Sequence, residues 1–161
     1  MDNDRAHLSL FNEKGRERVS LTDDHGLEIS GVNAGPRASL EVHEDGPALW
    51  FFGAFGEVRA SLGAYSNGET LILYDPNRGA RERVLLSAGP QRGALLGFSD
   101  SNGKTRALLG EDGLEISDEE GFQTIIGTTD LVTPRTGETH KTSAASVVLS
   151  DKDKKVLWKA P

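Results

Sequence analysis

Residues 58–79 read Val58-Arg-Ala-Ser-Leu-Gly-Ala64, Tyr65, Ser66-Asn-Gly-Glu69, Thr70-Leu-Ile-Leu-Tyr74, Asp75-Pro-Asn-Arg-Gly79. Two short runs with period-two alternation flank an Asn-Gly pair, and glycine accepts the positive φ that a tight turn demands. The stretch therefore predicts a β-hairpin, with strands over 58–64 and 70–74 and a turn over 66–69. Asp75 to Gly79 is a second turn signal that closes the unit.

The same unit recurs along the chain. An arginine followed three positions on by leucine appears as Arg5-Ala-His-Leu8, Arg18-Val-Ser-Leu21, Arg37-Ala-Ser-Leu40, Arg59-Ala-Ser-Leu62, Arg83-Val-Leu-Leu86 and Arg106-Ala-Leu-Leu109, with Gln123-Thr-Ile-Ile126 as a degenerate last copy. The spacings are 13, 19, 22, 24, 23 and 17 residues. Turn signals such as Asp23-Asp-His-Gly26, Asp45-Gly46, Asp100-Ser-Asn-Gly103, Asp112-Gly113 and Asp118-Glu-Glu-Gly121 fall between the apolar runs. No long helix is predicted.

The expected fold is all-β: an antiparallel meander of hairpin repeats of about 22 residues, curled or closed, with roughly 13 to 15 short strands. A parallel β-solenoid is the alternative. Connections of two to four residues join antiparallel neighbours more naturally, and a solenoid would stack the arginines about 4.8 Å apart as a ladder of like charge. A propeller with four strands per blade would have fewer than four blades at this length.

Composition narrows the function classes. The 161 residues carry 18 basic and 25 acidic side chains, a formal charge of −7 that repels nucleic-acid backbones and anionic membranes. There is no cysteine, so neither disulfides nor thiolate chemistry are available. No run of 18 apolar residues and no signal-peptide grammar occurs within 1–161, and the chain reads as soluble.

Alternation places the arginines on one face and Ala38, Leu40, Val58, Ala60 and Leu62 on the other. The intervening strands are solvated near the ends, as in Leu27-Glu-Ile-Ser30 and Leu114-Glu-Ile-Ser117. In the middle, Ala48-Leu-Trp-Phe-Phe52, Thr70-Leu-Ile-Leu-Tyr74 and Gly93-Ala-Leu-Leu-Gly-Phe98 are apolar on both sides. The candidate binding surface is therefore Trp50, Phe52, Ile72, Tyr74, Leu96 and Phe98 flanked by Arg37, Arg59, Arg83 and Arg106. The competing expectation is a sheet folded over to bury both faces, with the arginines snorkelling at the rim.

After Ile126 the pattern breaks into a polar segment over 127–145, followed by a hairpin with strands at 146–150 and 155–158. The chain is thus expected to form a single domain over 1–161, with repeats over about 5–126 and a non-repeat loop plus closing hairpin over 127–161. That hairpin either seals the sheet against an early strand or hangs as a loose tail.

The units Val58-Arg-Ala-Ser-Leu-Gly63 and Lys104-Thr-Arg-Ala-Leu-Leu-Gly110, the Asp-Gly turns, Thr129-Asp-Leu-Val-Thr-Pro-Arg-Thr-Gly-Glu138, Thr142-Ser-Ala-Ala-Ser146 and Lys155-Val-Leu-Trp-Lys-Ala-Pro161 together resemble a group of uncharacterised bacterial β-repeat proteins. Members of that group often carry a membrane helix before the repeats, so the resemblance implies the extracytoplasmic part of an anchored protein as one setting. It implies no activity.

Motifs for nucleotide binding, serine hydrolysis and zinc proteolysis are absent from the sequence. His25 and His43 sit in acidic turns of neighbouring units, the nearest approach to a metal site, but polar turn residues have an ordinary explanation and no metal or other cofactor is expected. The Asp-x-x-Gly turns lack the ligand spacing of a calcium loop. The leading expectation is a non-enzymatic structural and interaction scaffold for protein partners, including self-association through the central strands. A carbohydrate- or cell-wall-binding module is the second, and an enzyme of unknown class the third.

Overall fold

A computed structural model describes residues 6–23, 26–32, 35–77, 79–90, 93–132, 138–142 and 146–160. Sixteen strands follow one another: β1 (His7–Phe11), β2 (Glu17–Thr22), β3 (Gly26–Ser30), β4 (Pro36–His43), β5 (Gly46–Phe52), β6 (Val58–Tyr65), β7 (Gly68–Asp75), β8 (Arg81–Gly89), β9 (Gly93–Ser99), β10 (Thr105–Gly110), β11 (Gly113–Ser117), β12 (Gln123–Gly127), β13 (Asp130–Val132), β14 (Thr139–Lys141), β15 (Val147–Ser150) and β16 (Val156–Ala160). Fourteen of them form one antiparallel sheet in the order β1 to β12, then β15 and β16. The remaining pair, β13 and β14, make a separate two-stranded hairpin.

The all-β meander expected from the repeats is what the chain adopts, and the solenoid is not. The final hairpin neither seals the sheet nor hangs loose. It extends the meander, with β15 against β12 and β16 against β15, so that β1 and β16 are open edges. The polar segment that interrupts the repeats contains the β13–β14 hairpin, tied down where Thr142 Oγ1 accepts from the Thr129 amide (2.9 Å) and donates to the Gly127 carbonyl (3.2 Å). Arg5, His25 and residues 133–137 and 143–145, all given weight in the sequence reading, lie outside the described residues.

The two ends of the sheet are built differently. At one end the turns are two residues long, Glu44-Asp45, Ser66-Asn67 and Glu111-Asp112, each followed by a glycine at positive φ (Gly46 136°, Gly68 129°, Gly113 126°). A Cβ at Gly113 would lie 2.1 Å from the Ile126 carbonyl oxygen, so the position needs glycine for space as well as for φ. At the other end the loops are three residues longer than a direct strand reversal. Asn12, Gly53, Asp100, Asp118 and Asp151 each open a loop by donating their amide to the carbonyl four residues on, and an αL residue follows three positions after each of them. A β-bulge adjoins most of these loops, and the combination is a type I turn with a G1-type bulge.

The Asp-x-x-Gly signals now have a physical reading. Asp100 Oδ1 accepts from the amides of Asn102 (2.8 Å) and Lys104 (3.0 Å), Asn12 and Asp151 do the same in their loops, and Asp118 Oδ1 accepts from the amides of Gly121 and Phe122. These carboxylates and the Asn12 amide oxygen satisfy backbone donors that the loop would otherwise leave unpaired.

Candidate interaction surface

Antiparallel register sorts the side chains into two faces, since residues directly opposite share a side. On one face a row of eleven leucines runs unbroken across eleven strands: Leu8, Leu21, Leu27, Leu40, Leu49, Leu62, Leu71, Leu86, Leu96, Leu109 and Leu114. Ile126, Val147 and Ala160 continue it to β16. A parallel row beside it contains Leu10, Val19, Ile29, Ala38, Phe51, Ala60, Leu73, Val84, Phe98, Ala107, Ile116, Thr124, Leu149 and Trp158. Thr124 is the one polar member of either row, and neither row holds a charge.

This face is not a core. Leu62 is 50% exposed and Leu86 47%, in the middle of the sheet. The only buried apolar residues among those described are Ala48 and Val148, so the sheet does not fold over on itself, contrary to the expectation that both faces are buried.

The opposite face carries the repeat arginines. Its middle row reads Ser9, Ser20, Glu28, Ser39, Trp50, Ser61, Ile72, Leu85, Gly97, Leu108, Glu115, Ile125, Val148 and Lys159. Trp50, Phe52, Ile72 and Tyr74 lie here, half-buried, as anticipated. Leu96 and Phe98 do not. Leu96 pairs with Leu86 and Phe98 with Val84, which puts both on the leucine face and leaves Leu95 and Gly97 beside the arginines. Small neighbours accommodate the bulky side chains: Trp50 stands between Ser39 and Ser61, and the Ser61 hydroxyl lies 3.2 Å from the Tyr74 hydroxyl.

The arginines have a structural task. Arg18 donates to the carbonyl of Gly31 and Arg37 to that of Gly53, each reaching the loop that follows the next strand. Arg59 pairs with Glu57 and Arg83 with Asp75, both at 3.3 Å. Arg106 pairs with Asp100 and also donates to the Asp118 carbonyl. Arg18, Arg37 and Arg106 thus each clamp a loop carbonyl, while Arg59 and Arg83 hold a carboxylate beside their strands, tasks which the sequence pattern displays but does not reveal.

A concave site lies on the arginine face, bordered by residues of β11, β12, β15 and β16 together with Asp130 of β13 and Lys141 of β14. It is a cleft of about 410 Å³ lined by Glu115, Ile125, Asp130, Lys141, Val148 and Lys154, among others. None of its lining residues is aromatic. Glu115 accepts from Gln123 Nε2 at 3.0 Å. Among the described residues no three His, Asp or Glu side chains gather as a metal site requires, and His43 faces Glu41 at 3.1 Å. No helix there is long and apolar enough to cross a membrane.

No protein-family model matches the chain, and no curated protein matches it either.

Proposed function

We propose that the chain is a non-enzymatic interaction scaffold that docks its leucine-paved face onto another folded protein surface. The observation that carries this is the pair of uncharged rows running through all fourteen strands, half-exposed from end to end. At standard strand spacing, fourteen strands make a face of roughly 60 by 17 Å, or on the order of 1,000 Å². The largest apolar patch on an ordinary monomer is about 300–600 Å². Trp50, Phe52, Ile72 and Tyr74 with Arg37, Arg59, Arg83 and Arg106 make a weaker surface, because those four guanidiniums already have acceptors in a loop or, for Arg83, at the end of β7. The cleft lacks the aromatic platform on which a carbohydrate ring stacks.

Photo-crosslinking in the cell of origin tests the reading. A benzophenone side chain placed at Leu62 or Leu86 should yield protein adducts, and one placed at Ser20 on the other face should yield far fewer. Absence of adducts from both leucine positions rejects the proposal.

A further inference from the structure

We infer that the occupant of the leucine face is a second copy of this chain, packed face to face so that two single-layer sheets become one β-sandwich. The inference rests on the reading of that face as an interaction surface and adds the identity of the partner.

Surface area is the first support. The chain exposes 11352 Å², whereas a compact monomer of 17.3 kDa exposes roughly 7,800 Å² by the usual mass scaling. About 3,500 Å² of surface therefore stays wet that a self-sufficient fold of this mass would have buried. Pairing two leucine faces removes on the order of 1,000 Å² from each copy by the strand-spacing geometry, about 2,000 Å² in all. That exceeds the roughly 1,600 Å² of a standard specific interface.

Shape is the second support. A partner has to match two uncharged rows fourteen strands long on a twisted sheet, and another copy carries the same two rows at the same spacing. Aligned sheets of equal twist pack at about −30° and roughly 10 Å apart, and the two apolar rows of each copy would fill the layer between them. The repeat arginines and the cleft lie on the outer faces of such a pair, and Glu69, the carboxylate beside the leucine row where it pairs with Ala64 and Ala88, stands at the rim of the layer. A lipid surface is a poorer occupant. The leucine rows run out to β1 and β16, whose outer edges have no strand partner among the described residues, and hydrocarbon does not tolerate an open sheet edge.

The test is the solution mass of the whole chain and of a L62E/L86E variant, from micromolar to millimolar concentration. The wild type should sediment at twice 17.3 kDa and the variant at 17.3 kDa with its β-sheet circular dichroism retained. A wild type that stays monomeric, or a dimer that survives both glutamates, overturns the inference; the latter would point to edge-to-edge pairing of β1 with β16. Should the variant fail to fold, a second arm decides. The chain has no cysteine, so L86C, near the middle of the strand order, should join to its own copy through a short bismaleimide, and T70C on the arginine face should not. Equal yields from the two, or none from L86C, overturn the inference. A monomer whose photo-crosslinks from Leu62 lead to a different protein would remove the second copy and leave the interaction scaffold standing.

Discussion

Arg106 and Asp100 close on each other at one end of the sheet, with Arg106 Nε 2.6 Å from Asp100 Oδ2. The same guanidinium donates to the Asp118 carbonyl, so one side chain ties the β9–β10 loop to the β11–β12 loop. Replacing Arg106 with alanine should release both. Amide exchange at Lys104 and Phe122 should quicken several-fold while strand amides of β6 and β7 keep their protection. Uniform exchange across the sheet would show that the clamp is not local.

The acid response of that loop has a definite sign. Burial pushes the Asp100 carboxyl upward, but the Lys104 amide, the Arg106 guanidinium and the Asn102 amide together outweigh it and hold the group below its ordinary value of 3.8. Glu57 is held below 4.5, foremost by its own backbone amide, against a smaller opposing effect of burial and with help from the Phe55 amide and Arg59. A carboxyl whose folded pKa is depressed contributes stability above its unfolded pKa of about 4 and loses it as pH falls through the lower folded value. Carbon-13 titration of the two carboxyls should give midpoints under 3.8 for Asp100 and under 4.5 for Glu57, and loops 53–57 and 100–104 should loosen first on acidification. Unshifted midpoints would contradict the hydrogen bonding described.

Two glycines separate backbone strain from crowding. Gly15 has φ 69° and open space around a built Cβ, so Gly15→Ala should cost about 1–2 kcal/mol, the ordinary penalty for a left-handed residue. Gly113→Ala adds a collision with the Ile126 carbonyl and should cost clearly more, measured as the loss in urea-unfolding free energy. Equal costs would mean that β11 and β12 separate freely at that turn.

Ser61 is only 3% exposed, and its hydroxyl lies within hydrogen-bond distance of the Tyr74 hydroxyl. Tyr74→Phe should therefore lower stability by about 1 kcal/mol without altering the fold. A neutral result in chemical denaturation would place water, rather than Tyr74, as the partner of Ser61.

The repeat arginine, the Gly-bearing turns and the period-two alternation were enough to read the meander and to put Arg37, Arg59, Arg83 and Arg106 on one face. The phase of β9 was not readable. Leu95 and Leu96 are adjacent and equally apolar, so only pairing with β8 decides that Leu96 and Phe98 face away from the arginines. The β13–β14 hairpin escaped because strands of three residues such as Thr139–Lys141 show no alternation. Lys154 takes a positive φ of 61° where other loops have glycine, a substitution no turn rule anticipates. The fate of the last hairpin was equally silent, since β15 offers the same backbone groups to β12 as to any edge strand.

Within the large sheet every strand is bonded only to the strands beside it in the meander, and no long-range crossover ties distant hairpins together. Such a molecule behaves as a ruler: gaining or losing one hairpin changes its span by about 10 Å and leaves the rest in place. Copy number, rather than any single contact, sets how far the chain reaches.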